Sequence, residues 1–231
     1  MPTFDTWPFG VLSPADLEWS PVGGVDTGGP SLSGLEQLDR TDGGPKWIAR
    51  MVRIPLATRE QILAFQALQM NLENGTAPII LRRRARDRTP GVDSSPGALT
   101  PHSDETPFDD GSLYLTQDVT ASTTESADLR DDTLTITIAA LRPLIGGEDF
   151  GINHPTAGWR MYRVRRVLSN VGEAYTIQIG PPLREDVPDG TALDFSDPRC
   201  VMRLSDPRSF ATALQFNRYG WVDAEFEEAF F

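Results

Sequence analysis

The chain has one cysteine and two histidines in 231 residues. A lone Cys200 excludes an internal disulfide and a cysteine-built metal cluster, and it points to folding in a reducing compartment. His102 and His154 are too few for a histidine-rich metal centre. No window reaches the roughly 18 consecutive apolar residues of a membrane span. The opening MPTFDTWPFG has neither the basic start nor the apolar run of a signal peptide, so the expectation is a soluble protein not exported by that route. No G-x-S-x-G elbow marks a hydrolase nucleophile. Gly23-Gly24 and Gly28-Gly29-Pro30 neither follow a strand nor open a helix, which removes the context a Rossmann or P-loop fingerprint needs.

Glycine and proline are plentiful instead, at 20 and 19 residues. Each breaks a helix or opens a turn, so this density favours a β-rich, loop-rich fold. Acidic residues outnumber basic ones 33 to 21, a net charge of -12, and such a surface repels phosphate backbones and anionic membranes. The length allows one large core, or a main domain with a smaller companion.

Along the chain, residues 1–46 hold the apolar clusters Trp7-Pro8-Phe9 and Leu17-Glu18-Trp19 between glycine-rich and proline-rich stretches, as strand ends, turns or an extended arm would. KWIARMVRIPL reads as a strand whose alternation is imperfect: Trp47, Ala49 and Met51 share a face, and Ile54 and Leu56 follow out of step. Thr58 and Gln61 form a capping-box pattern, and Ile62, Phe65, Leu68 and Leu72 recur at helical spacing until Asn74-Gly75, which predicts a helix over 58–74. A strand follows at APIILRRR. From Arg82 to about Gly111 the sequence is polar and proline-rich, too poor in apolar surface to offset its ordering entropy, and reads as a long loop. Alternation resumes in SLYLTQDVTAS and is cleanest in DTLTITIAAL, with Leu134, Ile136 and Ile138 opposite Thr133, Thr135 and Thr137. WRMYRVRRVLS and EAYTIQIG form a predicted hairpin joined at Asn170-Val171-Gly172. DGTALDF, RCVMRLSD and the closing residues are again strand-like, with Tyr219-Gly220 as a break in the last of them.

Few side chains suggest chemistry. His102, Ser103, Asp104, Glu105, Asp109 and Asp110 could in principle gather a cation or a hydrolytic set, but their spacing fits no known loop and a solvated acidic loop accounts for them. Glu225, Glu227 and Glu228 could supply paired carboxylates, and a charged edge strand is the plainer reading. The five arginines of RRRARDR could meet phosphates, yet in an acidic protein a salt-bridged contact with an acidic neighbour is preferred. Trp159, Tyr162, Tyr175 and Trp221 could stack bases or sugars, and are read as core or subunit-contact residues. No catalytic, cofactor-binding or metal-binding residue is assigned.

The order GGPKWIARMVRIPL, ILAFQALQMNLENGTAPIIL, then MYRVRRVL, GEAYTIQIGPPLREDVPDGTALDFSDPRCVMRL and LQFNRYGWVDAEFEEAF resembles the distal tail proteins among the minor tail proteins of long-tailed bacteriophages. The most specific part is a Y-x-V strand, a glycine turn, T-I-x-I-x-P-P-L-R and D-G-T in fixed order, and the similarity covers most of the chain outside the proline-rich loop. The resemblance implies a mainly β fold: a split β-domain with one helix, residues 1–84 and 206–231, and an inserted smaller β-barrel-like domain at 112–205. The polar loop 85–111 departs from the family pattern. It further implies a non-enzymatic ring, expected as a hexamer, that joins the tail tube to the hub or baseplate proteins in the virion, with no cofactor and with DNA only passing through the lumen. An acidic lumen would suit that passage, since it repels phosphates. Two other readings stay open: a carbohydrate- or receptor-binding β-module, and a wall-degrading enzyme, for which no nucleophile is visible.

Overall fold

The computed structural model describes residues 4–30, 36–41, 43–83, 99–100, 114–115, 119–139, 143–206, 210, 214–215 and 219–230. They form a mainly β protein with one α-helix, and the chain divides into two units. The first comprises Met1–Arg83, Asn153–Arg160 and Arg199–Phe231; the second comprises Arg84–Ile152 and Met161–Pro198.

In the first unit a seven-stranded sheet is built from both ends of the chain. Its strands are β1 (Asp5–Thr6), β2 (Asp16–Val22), β5 (Lys46–Leu56), β6 (Ile79–Arg82), β15 (Arg199–Leu204), β16 (Leu214–Gln215) and β17 (Tyr219–Glu228). The order is β1-β6-β15-β17-β5-β2, with β16 also paired to β17. β3 (Val25–Pro30) and β4 (Glu36–Arg40) form a separate two-stranded ribbon. The imperfect alternation of β5 has a local cause. Arg53 has φ of 53°, and a register shift falls where β17 passes from Val222 to Ala224, so two residues of β5 oppose one of β17. The bulge turns Ile54 and Leu56 back to the face of Trp47, Ala49 and Met51, and all five are wholly buried. The Arg53 amide donates to the Asp223 carboxylate at 2.7 Å, which fixes the bulge in place.

Helix α1 (Arg59–Asn71) begins at the predicted cap. The Gln61 amide donates to Thr58 Oγ1, and the Thr58 amide donates to Gln61 Oε1, both at 3.2 Å. The helix ends three residues earlier than the spacing predicted, because Glu73–Gly75 form a 3-10 turn. Phe65 and Leu68 are buried, and Phe65 stacks on Phe210 at 4.5 Å. Phe210 and Phe226 in turn meet Trp7 edge-on, at 6.3 and 5.7 Å. The short apolar cluster near the start of the chain is thus core: Trp7, Phe9 and Leu12 are buried, and Trp7 Nε1 donates to the Leu12 carbonyl at 2.8 Å.

In the second unit β9 (Thr120–Thr123), β10 (Thr133–Ala139), β11 (Asp149–His154), β12 (Gly158–Val171), β13 (Ala174–Gly180) and β14 (Ala192–Asp194) close into a six-stranded barrel, in the order β10-β13-β12-β11-β14-β9. The ends of β11 and β12 nearest their connecting turn, Asn153–Arg160, count with the first unit. The alternating residues point inward as read: Leu134, Ile136 and Ile138 on β10 and Tyr175, Ile177 and Ile179 on β13 are buried. Phe150 packs between Phe195 and Tyr162, at 5.1 and 5.7 Å. The Tyr162 hydroxyl accepts the Arg184 amide at 3.0 Å, so its polar end is satisfied. Two bulges bend β12, between Val164 and Arg166 and between Val167 and Ser169.

Several expectations change. The β12–β13 connection is the two-residue turn Gly172-Glu173, since strand pairing continues through Val171↔Ala174. Tyr219-Gly220 is the start of β17 and not a break, because both residues pair with β16 and Gly220 also pairs with Leu56 of β5. RCVMRL, placed in the inserted domain that ended at residue 205, is β15 of the first unit's sheet, hydrogen-bonded between β6 and β17. The polar loop 85–111 lies outside the described residues except for Leu99–Thr100, which pair as β7 with β8 (Tyr114–Leu115).

Candidate assembly surface

The seven-stranded sheet ends on one side at the two-residue β1 and on the other at the seven-residue β2. β2 pairs with β5 from Asp16↔Val52 to Val22↔Lys46, and among the described residues no strand pairs along its other side. A strand so placed presents amide and carbonyl groups to whatever approaches. Its inner face is fixed by Leu17 and Trp19, half-buried opposite Met51 and Ala49, and Trp19 meets Trp47 edge-on at 6.3 Å. Its other face is exposed and carries Asp16, Glu18 and Ser20.

Beyond Val22 the chain turns into the β3–β4 ribbon through Gly23 and Gly24, at φ of 82° and 83°. A Cβ on Gly24 would stand 2.5 Å from the Pro45 nitrogen, so both the backbone conformation and the close approach call for glycine there. The VGGV stretch, read above as a turn or arm, is this junction. Apolar side chains are exposed along it: Val22, Val25 and Leu38.

The outer face of the sheet is a mixed field. On β17 the exposed positions are Tyr219, Trp221, Asp223 and Glu225, with Glu227 half-buried. Arg50 of β5 stands directly between Glu18 of β2 and Glu225 of β17, an opposite-charge ladder across three strands. Glu227 is held by Lys46 of β5 and by Arg203 of β15, whose Nη2 lies 2.7 Å from Glu227 Oε1. Burial alone would raise the Glu227 pKa, but the hydrogen bonds and charges of Lys46 and Arg203 outweigh it and hold the carboxyl below its ordinary value.

The residues singled out in the sequence fall in different places. His102, Ser103, Asp104, Glu105, Asp109, Asp110, Arg84, Arg86 and Arg88 lie outside the described residues. Arg82 ends β6, and Arg83 after it is buried. The three glutamates are not on an edge strand: β17 lies inside the sheet, with β5 on one side and β15 on the other. Nor do they share a face, since Glu225 and Glu227 point outward while Glu228 is buried. Tyr162 and Tyr175 are barrel core, Trp159 is half-buried with the Arg199 guanidinium 4.8 Å over its ring, and Trp221 is exposed, contrary to a core placement. The β12–β13 hairpin belongs to a closed barrel.

Sequence reading missed a buried ion pair. Arg160 and Glu228 are 2% and 1% exposed, with Nη1 to Oε1 at 3.7 Å, and Glu228 Oε2 also accepts the Trp47 amide at 3.2 Å. The signal was present in the alternation: Glu228 continues the inward series Val222, Ala224, Phe226, and a carboxylate at a core position needs a partner. Among the described residues no three of His, Cys, Asp and Glu converge as metal ligands, and no helix is long and apolar enough to cross a membrane. No protein-family model and no curated protein matches this chain.

Proposed function

We propose that this protein is a structural component of a phage tail tip, forming a homo-oligomeric ring between the tail tube and the hub or baseplate. The observation that carries the reading is the seven-residue edge strand β2, ending at exposed Val22, and the ribbon that follows it with exposed Val25 and Leu38. An unpaired edge that meets a different surface of the next copy makes a heterologous contact, which repeats from copy to copy until the rotation closes. Charge supports the same unit as the ring former. The first unit holds 14 acidic and 12 basic residues, whereas the second holds 19 and 9, so nearly all of the -12 resides in the second. Copies of the nearly neutral unit pack with little like-charge repulsion.

No catalytic role or cofactor belongs to this reading, and DNA is a transient occupant of the lumen. Light scattering coupled to size exclusion, followed by negative-stain imaging, tests it: rings of one defined order are expected, alone or on purified tail tubes. A protein that stays monomeric at every concentration and with tubes present refutes it. A channel lined by net positive charge refutes the proposed passage of DNA past a repelling wall.

One observation favours a second reading, a carbohydrate- or receptor-binding module. Trp221 is 60% exposed and shares its face with Tyr219 and Asp223, an aromatic platform beside a carboxylate. Glycan binding by a monomer, lost in Trp221→Ala, would select that reading over the ring.

A further inference from the structure

We infer that Arg160 is a register lock for the closing strand β17. The strand threads between β5 and β15 late in the sequence, and its inward residues Val222, Ala224 and Phe226 are all apolar. A shift by two residues would keep the same face toward the core, so side-chain parity does not exclude it; Phe226 in its aromatic pocket and Asp223 at the bulge oppose it, and a further contact acts at the strand's end. The last inward position is different. Glu228 there accepts from Trp47 and pairs with Arg160, both side chains being almost wholly buried. The same guanidinium donates to the Ala229 carbonyl and lies 5.5 Å over the Phe230 ring, so one side chain engages three consecutive residues at the end of β17. In a slipped strand the Glu228 carboxylate would leave Arg160 and the Trp47 amide, breaking a buried ion pair, which is costly. Arg160 stands in the hairpin segment Asn153–Arg160, which the chain reaches only within the long insertion between β6 and β15. The sheet therefore takes the residue that fixes its final strand from inside that insertion.

The test uses disulfide pairs in the full chain. Arg50 and Glu225 face each other in the native register, and Arg50→Cys/Glu225→Cys reports it. Arg50→Cys/Glu227→Cys reports a two-residue slip, since natively that diagonal is about 7–8 Å between the strands and out of disulfide reach. Cys200 is buried and stays in place. With Arg160 and Glu228 intact, only the 50–225 bridge is expected on oxidation. In an Arg160→Met/Glu228→Leu background, where the space is filled without charge, the share of 50–227 bridge is expected to rise at least roughly tenfold, equivalent to about 1.4 kcal/mol of lost discrimination. If that background does not fold by circular dichroism, Glu228→Gln, which keeps shape and hydrogen bonding, is read in the same way. A folded variant that forms only the 50–225 bridge overturns the proposal, because shape alone would then hold the register.

Discussion

Phe226→Ala should open the aromatic centre of the first unit while leaving the barrel intact. Phe226 is fully buried on β17, paired across to Ala49 and Leu204, with Trp7 at 5.7 Å and Phe210 at 6.2 Å around its ring. A buried Phe removes about 150–250 Å² from water, worth roughly 4–6 kcal/mol at about 25 cal/mol/Å². Alanine retains part of that, and two edge-on ring contacts worth about 0.5–1.5 kcal/mol each are lost. The sum falls near the upper end of the roughly 3–5 kcal/mol measured for such truncations, and about 4 kcal/mol is expected. For a chain of this size that lowers Tm by roughly 8–16 °C. Hydrogen exchange read by peptide locates the loss: protection should fall over β5 and β17 and hold over β10 and β13. A loss below about 1.5 kcal/mol, or an equal loss of protection in the barrel strands, would refute the account of Phe226 as the centre of a separate core.

Three further outcomes are expected. Arg160→Met alone removes one side of a buried ion pair with Glu228 and should cost about 3–5 kcal/mol by urea unfolding, far more than removing both partners. The folded pKa of Glu227 is depressed, so its pairing stabilises the protein above the unfolded value near 4.5 and is lost as pH falls through the folded pKa. Glu227→Gln should therefore lower the urea midpoint at pH 7 and narrow the difference between pH 7 and pH 3, and an unchanged pH profile would contradict the assigned Lys46 and Arg203 contacts. Thr58→Ala removes the helix cap and should cost about 1 kcal/mol, with faster exchange confined to the first turn of α1.

The sequence carried the fold class because its strands follow elementary rules. In β10 and β13 a two-residue period sets isoleucine and leucine against threonine and glutamine, and the barrel buries the apolar set as alternation requires. Thr58 and Gln61 announced the helix start through a reciprocal pair of local hydrogen bonds. Pairing between distant strands was not legible. Nothing local in RCVMRL says that it lies between β6 and β17, and nothing in the last ten residues says interior and not edge, since each of these strands has one neighbour, β6 or β5, more than 100 residues away. Val22 and Val25 flank Gly23-Gly24 and Leu38 stands in EQLDR, and that all three are exposed is not a local property of those stretches. Trp221 was misplaced for another reason. Large aromatics are usually inside, and parity on β17 could be assigned only once Val222 and Phe226 were known to point inward.

The two ends of the long insertion are ladder partners: Arg82, at the end of β6, faces Arg199, at the start of β15. A guest segment whose entry and exit stand side by side asks almost no distortion of its host, so this junction is a natural place for recombination to exchange one cassette for another. Arg160 sets a condition on such an exchange. A replacement cassette without a cation at that point would take the buried Glu228 carboxylate's arginine away, so lineages that swapped the insert would be expected to have changed the two positions together.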